Sequence, residues 1–335
     1  MKNIAHHTIH LDEKCVLITG GTGSFGQRFA QTILKEHNPR KVIILSRDEH
    51  KQYSMQKSQA FSDAKELRYF IGDVRDVDRL RMAMRGVDYV FHAAALKHVP
   101  TAEYNPLECI HTNVHGAENV VKAALDCGVQ KVIALSTDKA VNPINIYGAS
   151  KLAADKIFVA ANLLAGENAT RFSVIRYGNV LGSRGSIVPL VRKLVEEKCP
   201  SLPLTDEHMT RFWITLQQGI NFVLSSAAIM QGGEIFVPKI PSMKVADLIE
   251  ALAPAVPKHI IGVRPGEKLH EVLISEEDTA TVLEYMERYI ICPPQDPRVQ
   301  IYHEKEGGQK LSKNFRYASD NNDHWLQKEA LLNLI

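Results

Sequence analysis

The sequence predicts an α/β fold, a Rossmann-like doubly wound parallel sheet followed by a smaller C-terminal lobe. Three observations support this prediction. Short, β-branched apolar runs recur through the first half of the chain, and longer helical stretches separate them. Such runs are typical of strands buried on both faces, and their alternation with helices implies a parallel sheet covered on both sides. A glycine-rich turn directly follows the first run, and the alternation stops after Tyr177.

The predicted elements follow in order along the chain. The strands are 15–19, 41–45, 68–71, 88–92, 131–135 and 173–176. The helices between them are 25–36, 76–85, 113–127 and 147–164. After them we expect a loop at 182–186, a helix at 187–197, a strand at 235–237, a helix at 245–252 and a surface loop at 292–310. We place a first domain at 14–183 and a smaller lobe at 184–335, with strands near 212–240 returning to the first domain.

Length and charge agree with this fold and exclude some classes of partner. The chain has 335 residues, enough for one large domain or two fused ones. Lys and Arg number 40 and Asp and Glu number 38, so the net charge is +2. This balance gives no electrostatic reason to expect nucleic acid or an anionic membrane as a partner.

Cysteine usage and hydropathy indicate the compartment. The five cysteines are an odd number without paired spacing, which predicts free thiols. No apolar run approaches the ~20 residues of a membrane span, and residues 1–14 contain no apolar signal segment. We therefore expect a soluble, cytoplasmic protein.

The first strand leads into a turn with four glycines within residues 20–26. The turn fits the pattern G-x-G-x-x-G, in which glycines allow a tight turn, a close approach to a pyrophosphate and close helix packing. The following helix N-terminus offers N–H groups to the phosphates. Because the turn opens a βαβ unit, it predicts a dinucleotide bound by Gly20, Thr22, Gly23, Ser24, Phe25 and Gly26.

The end of the second strand bears on the choice between NAD and NADP. An acidic residue near this point typically holds the ribose hydroxyls of NAD. Here Ser46 and Arg47 come first and Asp48 comes slightly late. An arginine can pair with the 2′-phosphate of NADP, so the pattern favours NADP without excluding NAD. The other residues expected to contact the cofactor are Lys51, Asp73, Val74, Ala93, Ala94, Lys97, Ser136, Tyr147 and Lys151.

A tyrosine and a lysine lie one helical turn apart after the fifth strand. Tyr147 and Lys151 share one face of the predicted helix because they are four residues apart. A phenol with a pKa of ~10 is a poor base at neutral pH, and the lysine cation and a nicotinamide would lower that pKa. Tyr147 would then take a hydroxyl proton while a hydride leaves the same carbon, with Thr137 bonded to the reacting oxygen.

Together with the glycine-rich turn, these residues resemble the extended short-chain dehydrogenase/reductase family. Longer segments resemble that family's inverting UDP-N-acetylglucosamine 4,6-dehydratases of pseudaminic acid synthesis. They include TGGTGSFG, SRDE, GDVRD, HAAALKHVP, STDKA, YGASK, RYGNVLGSRGSIVP and RPGEKLHE, and they run from about residue 15 to residue 275. The resemblance implies an NADP-binding Rossmann domain, a C-terminal substrate-binding lobe, a UDP-sugar substrate and a homo-oligomer, a hexamer.

Asp138 and Lys139 lie directly beyond the fifth strand. A dehydrogenase or 4-epimerase needs only the tyrosine, the lysine and the cofactor, so an additional acid and base suggest an elimination. Oxidation at C-4 acidifies the C-5 proton, the C-6 hydroxyl leaves as water, and hydride returns to C-6. The resemblance implies that Asp138 is the acid at C-6 and Lys139 the base at C-5, where retaining relatives carry Asp-Glu. A lysine base needs a lowered pKa, and we expect Lys97 and Lys151 to lower it.

The resemblance also implies the residues that contact the UDP-sugar. Arg264 has the best physical case, since a planar guanidinium suits phosphate. The full expected set is Lys97, Asn179, Val180, Arg184, Thr205, Arg264 and Tyr317. We expect no metal site, because His111 and His115 lack an accompanying glutamate motif or cysteine pair.

Other functions stay open beside this one. They are a related inverting dehydratase of capsule or O-antigen synthesis, a retaining dehydratase, a UDP-sugar 4-epimerase and a non-catalytic NADP(H) sensor. The Asp138-Lys139 pair argues against the retaining enzyme and the epimerase. Tyr147 argues against the capsule group, which often carries Met there, and the intact Tyr-x-x-x-Lys pair argues against the sensor. The expected reaction is the first step of pseudaminic acid synthesis for flagellin or surface glycosylation.

Overall fold

The computed structural model describes residues 9–166, 170–183, 185–312 and 314–334. Its strands are β1 (Cys15–Thr19), β2 (Lys41–Ser46), β3 (Leu67–Ile71), β4 (Tyr89–His92), β5 (Lys131–Thr137), β6 (Arg171–Tyr177), β7 (Asn179–Val180), β8 (Leu202–Leu204), β9 (Thr210–Ile214), β10 (Ile235–Pro238), β11 (Ser242–Lys244), β12 (Lys258–Ile260), β13 (Val272–Ile274), β14 (Val282–Glu284), β15 (Arg288–Ile291), β16 (Gln309–Lys310) and β17 (Tyr317–Ala318).

The helices cover both faces of the sheet and much of the C-terminal lobe. They are α1 (Ser24–Glu36), α2 (Glu49–Lys57), α3 (Val77–Met84), α4 (Val99–Tyr104), α5 (Pro106–Ile110), α6 (Gly116–Asp126), α7 (Ile146–Leu164), α8 (Ile187–Glu196), α9 (Leu216–Ile229), α10 (Val245–Leu252), α11 (Pro297–Lys305) and α12 (Lys328–Leu332). A π-helical turn, His111–His115, leads into α6, and 3₁₀ turns occur at Asp138–Ala140 and Glu276–Thr281.

Within the described residues, one ten-stranded sheet has the order β16-β14-β15-β10-β6-β5-β4-β1-β2-β3. The strands from β3 to β10 pair in parallel, whereas β15, β14 and β16 add in antiparallel orientation. The chain order reverses between β1 and β4, so the carboxyl ends of these strands form the crevice where such folds bind ligands. The predicted α/β fold is confirmed.

The C-terminal half contributes to this sheet differently from the prediction. Of the strands near 212–240, β10 joins the main sheet, but β9 pairs with β7 and β11 in a separate sheet. The antiparallel strands β14, β15 and β16 also extend the main sheet. A boundary at residue 183 therefore does not separate two independent sheets, because strands from the second half of the chain extend the main sheet of the first half.

The prediction of a surface loop at 292–310 is wrong. That segment contains α11 and β16. The side chain of Asp296 caps α11 and Pro297 starts it, while Val299 and His303 share its buried face. His303 Nε2 lies 3.0 Å from Oε1 of the buried Glu234, which ties the helix to the sheet. The segment is mostly polar because only one narrow face of α11 is buried, so its sequence lacks the apolar periodicity that predicts a helix.

Apolar strands and helix faces build the core that holds the site in place. Every residue of β1 and β4 is buried. Phe29 of α1 packs on Phe91 of β4 with ring centroids 4.4 Å apart. A second cluster, which includes Trp213, forms between α8, α10 and the small sheets of the C-terminal lobe. The described part of the chain has no helix both long and apolar enough to span a membrane.

Candidate active site

The glycine-rich turn lies between β1 and α1 as a closely packed backbone cradle. Gly20 has φ +66°, and a Cβ added there would lie 2.9 Å from the backbone of Ala94. A Cβ on Gly26 would lie 2.4 Å from Cα of Gly21. Neither position accommodates a side chain, so the turn needs glycine at both. Thr22 is buried, Ser24 and Phe25 open α1, and Gly23 precedes them without a side-chain cap.

The alanines after β4 lie against this cradle. Thr19 Oγ1, at the end of β1, accepts hydrogen bonds from the backbone N–H groups of Ala93 at 3.2 Å and Ala94 at 3.3 Å. The same hydroxyl lies 2.8 Å from Nδ1 of the buried His92. Burial lowers the pKa of His92 to about 3, so its ring is neutral beside Lys151. The structure thus brings the glycine-rich turn and the predicted cofactor contacts Ala93 and Ala94 together at the crevice.

The residues at the end of β2 and directly after it make three separate sets of contacts. Asp48 caps α2, accepting from Lys51 N–H at 3.0 Å, and pairs with Lys51 Nζ at 2.9 Å. Its carboxylate and the Lys51 ammonium therefore engage each other. Arg47 is half-exposed, with Nη1 3.6 Å from Oδ2 of Asp73. Ser46 is buried and its hydroxyl accepts from Gln52.

Asp73 and Val74 lie beyond β3, next to these residues. Partial burial favours the neutral acid, but hydrogen bonds from Arg75 lower the pKa of Asp73 below its ordinary value. Val74 is buried, and a Cβ added to Gly116 would lie 2.8 Å from its side chain. The carboxylate of Asp73 thus remains charged between Arg47 and Arg75.

Thr137, Asp138 and Lys139 form a compact turn at the end of β5. Thr137 Oγ1 donates to Asp138 Oδ1 at 2.9 Å, and Lys139 Nζ donates to the same oxygen at 3.1 Å. Asp138 is 1% exposed. Its Oδ2 is buried and has no hydrogen-bond partner among the described residues. A buried carboxylate oxygen without a partner is costly, and it is available to a substrate hydroxyl.

Helix α7 brings Tyr147 to this turn. Asn145 caps the helix, accepting from Gly148 N–H at 2.7 Å. A Cβ on Gly148 would lie 2.2 Å from the carbonyl oxygen of Lys139, so this glycine allows the helix to touch the turn. Tyr147 hydrogen-bonds Thr137. Lys151, one turn later, is buried and its Nζ donates to the carbonyl of Leu135 at 2.7 Å.

Burial and charge act in opposite directions on Tyr147. Burial raises the pKa of its phenol to about 12, and the Lys139 cation and the bond to Thr137 only partly offset that rise. Burial also lowers the pKa of Lys151 below its ordinary value. The cation that acts on Tyr147 in this structure is therefore Lys139, whereas the sequence pointed to Lys151.

From the sequence we expect a lowered pKa for Lys139, but a contact from the C-terminal lobe changes this expectation. Its Nζ lies 3.1 Å from Asp138 and 3.0 Å from Oε1 of Glu271. Burial alone would lower the pKa of Lys139, but the two carboxylates raise it well above its ordinary value. The expectation that Lys97 and Lys151 lower it is wrong, because these carboxylates outweigh the desolvation of the amine.

Sequence reasoning missed Glu271 and Asp155. Glu271 lies within the segment RPGEKLHE, whose clustered charges were the available signal. Asp155 lies four residues after Lys151 on α7 and is buried. Its Oδ2 accepts from Ser136 Oγ at 2.8 Å and from Arg176 Nη2 at 3.4 Å. The spacing of four residues would have placed it on the face of Tyr147 and Lys151.

The residues expected to contact substrate are only partly brought together. Arg264 lines a small pocket with Lys139, Asn145, Lys268 and Glu271. Asn179 and Val180 form β7, where they pair with Trp213 and Ile214 of β9, and the buried Oδ1 of Asn179 has no partner in the described chain. Thr205 follows β8 and is nearly buried, and Lys97 is exposed beyond β4.

Two residues expected to contact substrate, Arg184 and Tyr317, are not among the residues that the structure places at the site. Arg184 lies outside the described residues. Tyr317 is not placed with the others: it is buried between the rings of Phe212 and Tyr289. Its hydroxyl donates to the carbonyl of Ile240 and accepts from its N–H, both at 2.9 Å. Both backbone bonds are satisfied, so this hydroxyl has a structural role in the core.

Comparison with known proteins places this geometry in a family. The family model described as polysaccharide biosynthesis protein matches residues 16–293. The chain is 55% identical over 97% of its length, and 98% of the relative's, to a UDP-N-acetylglucosamine 4,6-dehydratase (inverting) of Campylobacter jejuni subsp. jejuni serotype O:2. It is 42% identical to a UDP-glucose 4-epimerase of Rickettsia canadensis, covering 92% of both chains.

A solved structure agrees with these relatives. The X-ray structure of Pen from Bacillus thuringiensis superposes with a TM-score of 0.88 and 37% identity, covering 98% of each chain. The agreement extends over both halves of the chain. The chain therefore belongs to the polysaccharide biosynthesis protein family, within the extended short-chain dehydrogenases/reductases.

Proposed function

We propose that this chain is an NADP-dependent UDP-N-acetylglucosamine 4,6-dehydratase that inverts C-5. The product would be UDP-2-acetamido-2,6-dideoxy-β-L-arabino-hex-4-ulose. The observation that carries the proposal is the contact between Asp138 and Lys139 beside Tyr147, which supplies more acid–base groups than a simple oxidation needs. The dehydratase relative at 55% identity supports the same reaction.

The cradle fits a nicotinamide dinucleotide. The tight turn requires glycine at Gly20 and the packing of α1 requires it at Gly26, as in the glycine-rich turns that hold a pyrophosphate. The bound nicotinamide would supply the hydride acceptor at C-4 and the hydride donor at C-6. Arg47 would hold the 2′-phosphate of NADP, since Asp48 is engaged by Lys51 and the α2 N-terminus.

The chain's own residues would carry the protons. Tyr147 would take the proton of the C-4 hydroxyl, with Thr137 hydrogen-bonded to the phenol. The resulting C-4 ketone acidifies the C-5 proton, which Lys139 would remove. Asp138 would protonate the departing C-6 hydroxyl through Oδ2, the oxygen that has no partner in the described chain. Lys151, one helical turn after Tyr147, would contact the cofactor.

The C-terminal lobe would hold the UDP group. Arg264 lines the pocket beside Lys139, where its guanidinium would meet the diphosphate. Lys97, Asn179, Val180, Arg184 and Thr205 would complete the substrate site, as the resemblance implies. On the same basis we assign the product to pseudaminic acid synthesis for flagellin or surface glycosylation, and the enzyme to the cytoplasm as a homo-oligomer, a hexamer.

The reaction is tested by NMR of the purified protein with UDP-N-acetylglucosamine in D₂O, first without added cofactor. A 4-keto-6-deoxy product deuterated at C-5 with the L-arabino configuration is the expected result. A deuterated product with the D-configuration would retain the role of Tyr147 and overturn that of Lys139. No reaction, even with added NADP, would contradict the proposed substrate.

A 4-epimerase is the second candidate, because relatives named UDP-glucose 4-epimerase are 42% identical over most of the chain. Epimerisation needs Tyr147 and the cofactor but no acid at C-6. The same NMR experiment separates the two, since an epimerase forms UDP-N-acetylgalactosamine without deuterium at C-5. The Asp138–Lys139 contact favours the dehydratase.

A further inference from the structure

We propose that Glu271 is a positioning residue for Lys139 that receives the proton of this lysine before C-5 is deprotonated. This inference rests on the proposed function and names a residue outside the residues assigned there. A base must be neutral, whereas Lys139 lies between two carboxylates, which stabilise its ammonium form. The proton therefore needs an acceptor within the site.

Glu271 is the acceptor that the geometry provides. It is 1% exposed, and its Oε1 lies 3.0 Å from Lys139 Nζ. Its Oε2 is buried without a hydrogen-bond partner among the described residues. Both Glu271 and Lys139 line the pocket next to Arg264, where the UDP-sugar would enter. Asp138 is the less suitable acceptor, because a proton placed on Asp138 is consumed when the C-6 hydroxyl leaves and could not restore the pair at the end of the reaction.

The backbone around Glu271 is held from two sides. Ser319 Oγ accepts from the N–H of Glu271 at 2.9 Å, and the carbonyl of Glu271 accepts from the N–H of Ser319 at 2.8 Å. Arg211 donates to the carbonyls of Leu269 at 3.1 Å and Lys268 at 2.9 Å. Such bonds fix the carboxylate before substrate arrives, as a positioning residue requires.

Several other charges face the Glu271–Lys139 pair. Arg211 Nε lies 3.7 Å from Oε1 of Glu271, and Lys268 Nζ lies 4.0 Å from Oε2. The groups that act on the pair from neighbouring elements are Asp138 of the 3₁₀ turn, Tyr147 of α7, Arg211 of β9 and Lys268 of the segment before β13. Arg211 and Lys268 thus place two further cations beside the carboxylate of Glu271.

The proton moves from the Lys139 ammonium to the Glu271 carboxylate. An N–H bond of Lys139 breaks, its electron pair stays on nitrogen, and an O–H bond forms on Glu271. The neutral amine then takes the C-5 proton, and the C–H electron pair moves toward the C-4 carbonyl. Inversion requires the new proton on the face of C-5 opposite Lys139, so water protonates C-5 there and the hydroxide so formed takes the proton of Glu271. Lys139 keeps the proton that it removed from C-5. The cluster ends in its starting charge state, and no co-reactant is consumed.

The first test measures the charge of Lys139 without substrate. Only a neutral amine reacts with acetic anhydride, so the acetylation rate of Lys139 at a fixed alkaline pH, measured by peptide mass spectrometry, reports its neutral fraction. Glu271→Gln removes one of two carboxylates, and we expect acetylation to be about tenfold faster or more, since one pKa unit is a factor of ten. Glu271→Asp should restore slow acetylation. The partly buried Lys131 and the buried Lys151 report any general loosening, and their acetylation rates should not change.

The second test measures turnover of the same variants with UDP-N-acetylglucosamine. We expect kcat of Glu271→Gln to fall at least tenfold with KM little changed, although its Lys139 is more often neutral. Glu276→Gln, an exposed glutamate of the same lobe, is the control. Unchanged acetylation or unchanged kcat in a folded Glu271→Gln protein would overturn the inference. If the wild type does not turn over this substrate, the proposed function fails, and acetylation alone decides whether Glu271 controls Lys139.

Discussion

At the scale of single residues, burial decides the chemistry of the side chains around β5. The same phenol and amine types occur on protein surfaces without reactivity, because water keeps their pKa values ordinary. Here Tyr147 is raised to a pKa of about 12 by burial, and Lys139 is held charged by two carboxylates. A bound nicotinamide cation would therefore be needed to bring the phenol toward neutral pH.

Replacing Tyr147 by Phe tests the proton acceptor. We expect turnover to fall about 10²- to 10⁴-fold, the usual contribution of a positioned base, while cofactor binding stays near that of the wild type. The measurements are kcat and a cofactor titration. Tyr104→Phe is the matched control, because Tyr104 is 87% exposed and has no role in the proposed mechanism. Full turnover in Tyr147→Phe would show that another group takes the proton.

His92 predicts a dependence of stability on pH. Its pKa is about 3 in the folded protein and ordinary, ~6.5, in the unfolded chain. The unfolded chain therefore binds a proton that the folded protein rejects, so stability falls as the pH drops below ~6.5, by up to about 1.4 kcal/mol per pH unit, toward the folded value. Urea unfolding at about pH 7 and about pH 5 should show a smaller loss for His92→Gln than for the wild type. Equal losses would contradict this assignment.

At the scale of elements, the packing of α7 against the 3₁₀ turn assembles the site. Glycine at position 148 allows the helix to approach the carbonyl of Lys139. The Tyr-x-x-x-Lys spacing identified this helix from sequence, because spacing along one helix is a local property. The distance from helix to turn is not local, and no pattern within the helix specifies it.

Two glycines on helices form a matched pair of variants. In Gly148→Ala the new Cβ would lie 2.2 Å from Lys139 O, whereas in Gly219→Ala, on α9, the nearest atom would lie 4.0 Å away. We expect Gly148→Ala to lower stability by several kcal/mol, on the order of overpacking costs, and to abolish turnover. Gly219→Ala should be neutral or stabilising by about 0.5–1 kcal/mol, from helix propensity. Thermal unfolding and kcat of both variants check this, and equal behaviour of the two would contradict it.

Element boundaries also show where sequence patterns lose information. The parallel strands β1 to β6 were predicted within a few residues, because apolar and β-branched residues dominate their sequences. The helix α11 was missed, because its buried face consists of Val299 and His303 among polar residues. Its burial depends on Glu234, a distant partner that the local pattern does not contain.

At the scale of the whole molecule, the two halves share one sheet and one site. Strand β10 covers the edge of β6, and β15, β14 and β16 extend the sheet beyond it. Glu271 and Arg211, from the second half, complete the charge cluster around Lys139. The sheet and the charge cluster of the first half are therefore incomplete without the residues that follow position 183.

A fragment of residues 1–183 tests this dependence. Without β10 the apolar strand β6 becomes an exposed sheet edge, and the buried side chains of Ile235 and Phe236 no longer cover it. We expect the fragment to aggregate or to lack a cooperative thermal transition by circular dichroism. A soluble fragment with a sharp transition and normal cofactor binding would show that the first half folds alone.

The sequence by itself determined the alternation of strands and helices, the glycine-rich turn and the Tyr147–Lys151 spacing, because each depends on neighbours along the chain. The tertiary structure alone decided the charge of Lys139 and the structural role of Tyr317. Glu271 and Ile240 are far from them in sequence, yet they lie within hydrogen-bond distance in the fold. Electrostatic free energies depend on such distances and on burial, and both are set only when remote segments pack together.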